Sequence, residues 1–521
     1  MNRQIPVLLV SVFVIAICGI LYELLISSIS SYFLGSSILH FSLVIGLFLS
    51  FMGLGSWMSR FFQRRLLRWF IRFEILLSIV GGSSAILLYF AYSLTPYYYL
   101  MAFLLISILG TLIGLEIPIL TRIVSKEESL KDAMASVLSF DYLGSLLASV
   151  AFPLLLLPFL GMMRTAFAIG LLNLLVAALN VYLFRKELKK TQDLSATILV
   201  TGMLLIGGLF YSFQITDFFE KYLYRDQIMM TRQTTYQRIV VTQRNQDTRL
   251  FLNGNIQFSS RDEYRYHEPL VHIPMALSAP KSEVLILGGG DGLAARELLK
   301  YPEVKHITIV DLDPEMTRLG AEHPVFQRLN QGAMTDPRVS VVNQDAFKFI
   351  EESSDFFDVM LIDLPDPNNT DLGKLYSTQF YQLLKKRLSV AGVVITQSTS
   401  PYFAREAFWC IHHTLKNVFA QTLPLTVHVP SFGQWGFNLA VHSPGKLPPG
   451  SDSLMVETGI ELVQDFLREK EASLQLKYLS PEVVPGLFSF GKDMAPIPVE
   501  LNEIDNQKLI QYYEKSFYRW Q

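Results

Sequence analysis

Five aspartates in the second half of the chain follow short apolar runs, and together they could bind and activate a cationic substrate. They are Asp291, Asp311, Asp345, Asp363 and Asp366. Carboxylates gathered at one place attract positive charge, accept hydrogen bonds from hydroxyl groups and, where water is excluded, can take a proton from an amine. We therefore expect a cation-binding cleft that contains a general base.

The first of these aspartates lies within a glycine-rich turn. The stretch VLILGGGDGLAARELLK, residues 284 to 300, is predicted to form a buried strand, a turn and a helix. The turn glycines, which would let the backbone approach a ligand closely, are Gly288, Gly289, Gly290 and Gly292. An acid here disfavours a pyrophosphate and favours a cation such as an S-adenosyl sulfonium. If the methionine carboxylate is removed, the remaining ammonium would suit Asp291.

Two further aspartates end the next predicted strands. Asp311 lies 20 residues after Asp291 and is placed to accept hydrogen bonds from ribose hydroxyls. Asp345 could hold an adenine amino group, or it could cap the helix that follows. The residue type leaves both interpretations of Asp345 open, and the set as a whole predicts a nucleoside-binding site.

The elements that would position these residues alternate between strands and helices. The predicted strands are 284 to 288, 306 to 313, 339 to 345, 357 to 367 and 392 to 398. This order predicts a mostly parallel, doubly wound, Rossmann-like α/β sheet that binds its ligand at the carboxyl ends of the strands. Strand-like runs at 238 to 243 and 249 to 258, with an Asn253-Gly254 turn, predict a small β region ahead of it.

The first 215 or so residues are much more apolar than the rest. The 521-residue chain is 50% hydrophobic, with a mean hydropathy of +0.32. Stretches long enough to cross a bilayer, about 20 residues each, lie near 5 to 33, 38 to 59, 70 to 93, 98 to 121, 134 to 158, 162 to 184 and 195 to 215. The sequence therefore predicts a seven-helix transmembrane bundle in a cell (inner) membrane.

Lysine and arginine predict the orientation of this bundle. They cluster between the second and third spans, the fourth and fifth, and the sixth and seventh, so these loops are expected to be cytoplasmic. Seven spans would then place the C-terminal half outside, although a nucleoside-derived substrate is supplied in the cytoplasm. The side of the membrane on which the catalytic half lies is open at this point.

Other features limit the function classes. Glu23, Glu116 and Asp141 lie within or near the spans, where they could form either a cation path or polar contacts between helices. A net charge of -2 gives no electrostatic case for nucleic acid. The two cysteines are far apart, and His412 and His413 lie on a helical stretch, so we expect neither a disulfide framework nor a metal site.

The region from about 230 to 490 resembles the spermidine synthases, which are polyamine aminopropyltransferases, in their membrane-fused form. The motifs that carry the resemblance are TTYQRIVV (234 to 241), LFLNGNIQFSSRDEYRYHEPLVHIP (250 to 274), GGGDG with ARE (288 to 297), IVDLD (309 to 313), NQDAF (343 to 347), IDLPDP (362 to 367), LYSTQFY (375 to 381), VPSFGQWGF (429 to 437) and LKYLSPEV (476 to 483). They occur in the order typical of that family.

The resemblance implies roles for individual residues. Donor-binding residues, for decarboxylated S-adenosylmethionine as co-substrate, would be Gln237, Gln257, His267, Gly288, Gly290, Asp291, Asp311 and Asp345. Asp363 would be the catalytic acid-base residue. The acceptor-binding residues would be Tyr266, Asp366, Tyr376 and Trp435. No permanently bound cofactor and no metal are implied, and a homodimer or homotetramer is the expected assembly.

The sequence thus predicts an aminopropyltransferase that makes spermidine from putrescine and releases methylthioadenosine. Two alternatives stay open: an S-adenosylmethionine methyltransferase on the same fold, and a non-catalytic polyamine sensor or transporter. The predicted domains are a transmembrane domain (1 to 216), a β-hairpin region (217 to 275), a Rossmann-like catalytic domain (276 to 495) and a C-terminal helical extension (496 to 521).

Overall fold

The computed structural model divides the chain into two compact units, Met1–Ile228 and Met229–Gln521. It describes residues 4–34, 37–126, 129–188, 190–224, 226–442, 446–448 and 451–520. The two units match the change in composition along the chain, because the apolar runs end where the alternating pattern of strands begins.

The first unit consists mainly of helices. Its helices are α1 (Gln4–Leu34), α2 (Ser37–Met58), α3 (Leu66–Leu94), α4 (Tyr98–Val124), α5 (Leu130–Ala151), α6 (Leu157–Leu183), α7 (Arg185–Leu188), α8 (Gln192–Phe210) and α9 (Ser212–Tyr224). A π-helical turn, Phe152–Leu156, connects α5 to α6. Glycines allow close packing of the helices: a side chain at Gly114 would collide with the backbone of Met52, and one at Gly55 with the backbone of Thr111.

Six helices in the described residues are long and apolar enough to cross a membrane. The seven predicted spans are therefore not confirmed, because the fifth of these helices is a single 54-residue stretch, Leu130–Leu183. An α-helix of that length would extend about 80 Å, more than twice the thickness of about 30 Å of a bilayer core. The stretch is interrupted at Gly161, whose φ of 71° and ψ of 177° are not helical.

The chain reverses direction at Gly161. Before it, Gly144 packs against the backbone carbonyl of Phe13 in α1. After it, the Asn180 side chain donates a hydrogen bond of 2.8 Å to Ser11 Oγ, also in α1. Since both flanks of the kink reach nearly the same level of α1, α5 and α6 run in opposite directions.

A four-stranded antiparallel sheet opens the second unit. Its strands, in spatial order, are β1 (Gln227–Gln233), β2 (Arg238–Arg244), β3 (Asp247–Leu252) and β4 (Asn255–Ser259). The turn predicted at Asn253-Gly254 joins β3 to β4, and both residues have left-handed φ angles of 50° and 82°. β1 carries no strong alternating pattern and was not among the predicted strands.

A seven-stranded sheet forms the centre of the second unit. Its strands are β5 (Glu283–Gly288), β6 (His306–Asp311), β7 (Val339–Asn343), β8 (Phe357–Asp363), β9 (Leu388–Gln397), β10 (Gln421–Val429) and β11 (Gly433–Val441), and their spatial order is β10-β11-β9-β8-β5-β6-β7. β5 to β9 are parallel, as predicted. The hairpin of β10 and β11 adds two antiparallel strands at one edge.

Helices accompany the strands of this unit. They are α10 (Tyr264–Leu277), α11 (Leu293–Leu298), α12 (Pro314–Glu322), α13 (Pro324–Leu329), α14 (Ala346–Glu352), α15 (Thr370–Gly373), α16 (Thr378–Arg387), α17 (Arg405–Val418), α18 (Asp452–Leu474), α19 (Val484–Leu487) and α20 (Lys508–Trp520). Alternate residues of β5 enter different apolar layers, Val284 and Ile286 in one, Leu285 and Leu287 in the other. The continuous apolar run of β5 therefore reflects burial on both faces.

The strand order changes direction between β5 and β8. From β5 the chain builds outward to β6 and β7, and it then returns to add β8 on the opposite side of β5. In doubly wound sheets, such a switch point leaves a crevice at the carboxyl ends of the two strands. Gly288 and Asp363, the last residues of β5 and β8, are register partners at this crevice.

Candidate active site

The glycine turn after β5 brings two strand ends into direct contact. Gly288 has a φ of 86°, and a side chain there would collide with the carbonyl oxygen of Asp363. The Gly290 backbone N–H donates a hydrogen bond of 3.1 Å to Asp311 Oδ2, and a side chain at Gly290 would meet the same carboxylate. The turn thus needs glycine because the ends of β8 and β6 lie against its backbone.

Asp291 is held at the start of α11 with part of its carboxylate available. Its Oδ1 accepts a hydrogen bond of 2.9 Å from the Leu293 backbone N–H. Burial raises the pKa of Asp291 to about 6, the positive charge of His267 lowers it, and the negative charge of Asp363 raises it further. Asp363 therefore lies close enough for its charge to act on Asp291.

Asp311 ends β6 beside the glycine turn. Its Oδ1 accepts a hydrogen bond of 2.9 Å from the Asp313 backbone N–H. Burial raises the pKa of Asp311 to about 6. Gln237 reaches the same strand end from the small sheet, where its Nε2 donates 2.9 Å to Asp313 Oδ2. The two sheets thus meet at the end of β6.

Asp345 caps a helix and forms an ion pair. Its Oδ1 accepts hydrogen bonds of 2.9 and 3.1 Å from the backbone N–H groups of Phe347 and Lys348 at the start of α14. Its Oδ2 lies 2.8 Å from Lys374 Nζ. Burial acts to raise the pKa of Asp345, but the Lys374 ammonium holds it below its usual value. The capping interpretation is observed, and the donor-binding role stays a prediction.

Asp363 and Tyr266 form the most direct contact of the site. The Tyr266 hydroxyl donates a hydrogen bond of 2.6 Å to Asp363 Oδ1. Burial raises the pKa of Asp363, while the charge of His267 and the Tyr266 hydrogen bond act to lower it. A carboxylate with a raised pKa beside a hydroxyl group is suited to accept a proton from a bound amine.

A buried network that was not predicted holds His267. Its Nδ1 lies 2.9 Å from Glu263 Oε2, and Arg296 donates two hydrogen bonds of 3.0 Å to the same carboxylate. Burial acts to lower the pKa of His267, but Glu263 raises it to about 9, assisted by the charges of Asp291 and Asp363. His267 is therefore an imidazolium at neutral pH, and it partly balances the negative charge of the aspartates.

Asp366 lies in the loop after β8 and meets a residue from the far end of the chain. Its Oδ2 accepts a hydrogen bond of 2.8 Å from the Tyr513 hydroxyl. Burial raises the pKa of Asp366 to about 6, and the Tyr513 hydrogen bond opposes this effect. Tyr376 supports the same loop, since its hydroxyl donates 3.1 Å to the Pro365 carbonyl.

Gln397, at the end of β9, connects this loop to the sheet. Its Nε2 donates hydrogen bonds of 2.8 Å to the Leu364 carbonyl and 2.6 Å to the Tyr376 hydroxyl. Neither Gln397 nor Tyr513 was among the predicted site residues. Gln397 lies next to the carboxyl end of the predicted strand 392 to 398 and could have been found by that position. Nothing local distinguishes Tyr513 from the other aromatic residues of its helix.

Trp435 and Gln257 lie at the margins of the site. The Trp435 ring, on β11, packs edge-on against Phe432 at 4.9 Å between centroids, and Phe432 in turn contacts Tyr266. Gln257 donates 3.2 Å to the Asn255 carbonyl within its own hairpin. The described contacts therefore connect Trp435 to the other predicted residues through Phe432, and none of them connects Gln257 to the aspartates.

The geometry favours one kind of chemistry. Asp291, Asp363 and Asp366 lie near one another, because His267 interacts with Asp291 and Asp363, and Tyr266 and Tyr376 each interact with Asp363 and Asp366. Three half-buried carboxylates with raised pKa values near one another favour a ligand that carries positive charge. Asp363 lies beside Asp291, one of the predicted donor-binding residues. A general base in this place could deprotonate an amine and so favours the transfer of a group to an amine acceptor.

Comparison with known proteins identifies relatives along the whole chain. A family model described as spermine/spermidine synthase domain matches residues 263–448. The polyamine aminopropyltransferase of Leptospira interrogans is 44% identical over 512 residues, which are 98% of this chain and 99% of the relative. Polyamine aminopropyltransferase 2 of Ralstonia nicotianae is 41% identical, over 99% of each chain.

A solved structure is also similar to part of the chain. It is the crystal structure of spermidine synthase in complex with the transition-state analogue AdoDATO, which is 25% identical, with a TM-score of 0.44. The similarity covers 51% of this chain and 88% of that one. The relatives, by contrast, match the helical unit as well, since they are similar over nearly the whole length.

Proposed function

Since this chain belongs to the polyamine aminopropyltransferase family and is a transferase of aminopropyl groups, we propose that its donor is decarboxylated S-adenosylmethionine and its acceptor putrescine. The products are then spermidine and methylthioadenosine. The observation that carries this proposal is the half-buried Asp363, which accepts a hydrogen bond from Tyr266 and lies close enough to Asp291 to raise its pKa.

The donor lies across the carboxyl ends of β5 and β6 in this proposal. Asp311 accepts hydrogen bonds from the ribose hydroxyls, and the glycine turn lets the nucleoside approach the backbone. Asp291 binds the ammonium of the aminopropyl arm, and the buried carboxylates repel the extra carboxylate of S-adenosylmethionine. Asp345, whose two oxygens already accept hydrogen bonds from Phe347, Lys348 and Lys374, shapes the adenine end of the site.

The chemical step needs a neutral nitrogen. A diamine is mostly protonated at neutral pH, so Asp363 takes one proton from the reacting ammonium, and Tyr266 orients the freed nitrogen. The lone pair then forms a bond to the carbon beside sulfur. The bond between carbon and sulfur breaks, and its electron pair neutralises the sulfonium. The sulfur leaves as the thioether of methylthioadenosine, and the new secondary amine carries the positive charge.

The proposal is tested by turnover with purified full-length protein. Decarboxylated S-adenosylmethionine and putrescine are supplied, and spermidine and methylthioadenosine are measured by chromatography; we expect the two products in equal amounts. A parallel reaction with S-adenosylmethionine monitors S-adenosylhomocysteine. Transfer of a methyl group in the second reaction, or no turnover in the first with any amine acceptor, would contradict the proposal.

The pH dependence of donor use follows from the two donor-side aspartates. Asp291 and Asp311 bind the donor as carboxylates, and burial raises the pKa of each to about 6. As the pH falls through about 6, both become protonated in the free enzyme, so kcat/KM for the donor decreases. Above that pH both are ionised and the value reaches a plateau.

The measurement is a profile of kcat/KM for the donor from about pH 5 to about pH 8. We expect the acidic limb to become shallower in Asp311→Asn, since one of the two titrating groups is removed. A flat profile over this range in the wild-type enzyme would show that neither aspartate controls donor binding.

For the helical unit we propose membrane integration with seven crossings, in which residues before and after Gly161 form the fifth and sixth. The reversal at Gly161 supports this number. Seven crossings place the two ends of the unit on opposite sides, and the lysine and arginine clusters favour a cytoplasmic N-terminal end. The supply of the donor favours a cytoplasmic catalytic unit instead.

Protease treatment of sealed inverted vesicles decides between these arrangements. With the cytoplasmic face outward, a protected catalytic unit together with a cleaved N-terminal reporter supports seven crossings. Cleavage of both ends requires an even number of crossings and rejects seven.

A further inference from the structure

The C-terminal part of the chain packs against the loop that carries Asp366. We name residues 364–376 the acceptor loop. Asn502 Nδ2 donates 2.9 Å to the Gly373 carbonyl of this loop, and Ile510 on α20 packs against Gly373. Leu509 is fully buried in the same apolar cluster as Leu375. The C-terminal part of the chain therefore contacts the acceptor loop through both hydrogen bonds and apolar packing.

The C-terminal part of the chain, from Met494 onward, also contacts α17. Trp409 Nε1 donates 2.9 Å to the Met494 carbonyl, and Arg405 Nε donates 2.8 Å to the Ala495 carbonyl. Asn502 N donates 2.9 Å to Thr414 Oγ1. These contacts on both sides hold α20 in a fixed position relative to the acceptor loop, so a side chain on α20 can be placed reproducibly in the cleft.

Tyr513 is the residue of α20 that enters the site. Its hydroxyl donates 2.8 Å to Asp366 Oδ2, which Thr399 Oγ1 approaches at 3.5 Å. Asp366 Oδ1 is also buried, and among the described residues no donor lies within hydrogen-bonding distance of it. The Gln397 amide acts on the same carboxylate, but its Nε2 donates to the Leu364 carbonyl and the Tyr376 hydroxyl. A buried carboxylate oxygen that lacks a hydrogen-bond donor costs free energy in the folded protein. Because the Tyr513 hydrogen bond holds the Asp366 carboxylate in place, Oδ1 is available to accept a hydrogen bond from a bound ligand.

We propose that Tyr513 is a positioning residue for the acceptor: it fixes the Asp366 carboxylate so that Oδ1 faces the cleft and receives the distal ammonium of the diamine. This inference rests on the proposed function. Tyr376 acts electrostatically on Tyr513, and the Tyr513 ring occupies space beside Asp366. The proposal therefore includes a limit on acceptor length set by this ring.

The test is Tyr513→Phe in the full-length protein, which removes the hydroxyl and keeps the ring. A hydrogen bond to a charged group that orders a substrate-binding carboxylate contributes enough to change affinity by about 10-fold to about 100-fold. We expect KM for putrescine to rise by that factor, with kcat and the donor KM within about 2-fold of wild type.

The matched control is Tyr512→Phe, next to it on α20, whose hydroxyl accepts a hydrogen bond from the Glu500 backbone N–H. It removes the same atom from the same helix without touching Asp366. We expect its acceptor KM to equal that of wild type. Equal effects of the two variants, or a joint loss of donor affinity, kcat and acceptor affinity, would assign Tyr513 a general structural role and overturn the inference.

A second variant tests the limit on acceptor length. Tyr513→Ala removes the ring beside Asp366, and we expect the ratio of kcat/KM for spermidine over putrescine to rise at least about 10-fold. An unchanged ratio with unchanged acceptor KM in both variants rejects the inference while leaving the proposed function intact. No turnover in the wild-type enzyme would instead reject the proposed function.

Discussion

Asp363→Asn is expected to lower kcat by about 100-fold to about 10,000-fold, the range over which a positioned general base accelerates a reaction. The amide cannot take a proton from the acceptor ammonium, and only the small neutral fraction of the amine remains reactive. Asn keeps the shape of the side chain and can still accept the hydrogen bond of 2.6 Å that Tyr266 donates. Turnover is measured from methylthioadenosine release at saturating donor and acceptor.

The prediction for Asp363 separates chemistry from binding. Donor affinity, measured by calorimetry, should stay within a few fold of wild type, and Asp355→Asn, on the exposed segment before β8, should have full activity. As the acceptor ammonium is deprotonated at higher pH, the neutral fraction grows and the variant should recover part of its rate. A variant with wild-type kcat would show that another group is the base.

Asp291→Asn is expected to raise KM for the donor by about 30-fold to about 4,000-fold. Removing one partner of a buried charge pair costs about 2 to 5 kcal/mol, and tenfold corresponds to about 1.4 kcal/mol. The ammonium of the aminopropyl arm would lose the carboxylate nearest the glycine turn. The preference for decarboxylated S-adenosylmethionine over S-adenosylmethionine should fall as well, because one repulsive charge is gone.

Loss of folding would not explain this result. Burial raises the pKa of Asp291 to about 6, so ionisation of this group destabilises the folded state as the pH rises through that value. The neutral Asn removes the penalty, and Tm at neutral pH should equal or exceed that of wild type. Asp465→Asn, an exposed aspartate on α18, serves as the control for donor KM. A donor KM unchanged in Asp291→Asn would place the ammonium elsewhere.

Local signals were sufficient for the centre of the site. Asp291 and Asp311 are recognisable because glycine and acidic residues follow apolar runs, and the ends of parallel strands must meet at one edge of the sheet. The same rule predicts that Asp363 lies at this edge of the sheet, because it ends β8. The contact between Tyr513 and Asp366 joins residues 147 positions apart, and no local pattern in a helix specifies such a partner.

Other differences have physical causes as well. The hairpin of β10 and β11 is antiparallel and lies at the edge of the sheet. No helix separates its two strands, so the alternation of strands and helices did not predict them. Hydropathy separates the runs on either side of Gly161, whereas the backbone stays helical up to that residue and resumes immediately after it. A single glycine can reverse the chain where a polar loop would be expected.

The pairing of Gly288 with Asp363 divides the enzyme into a part that must stay constant and a part that is free to change. Because the proposed base is attached by its own backbone to the turn that receives the nucleoside, the spacing between proton acceptor and reacting carbon is a property of the sheet. The acceptor loop and α20 lie outside this constraint. New amine specificities should therefore be obtainable by redesigning those two segments alone, without rebuilding the machinery for bond exchange.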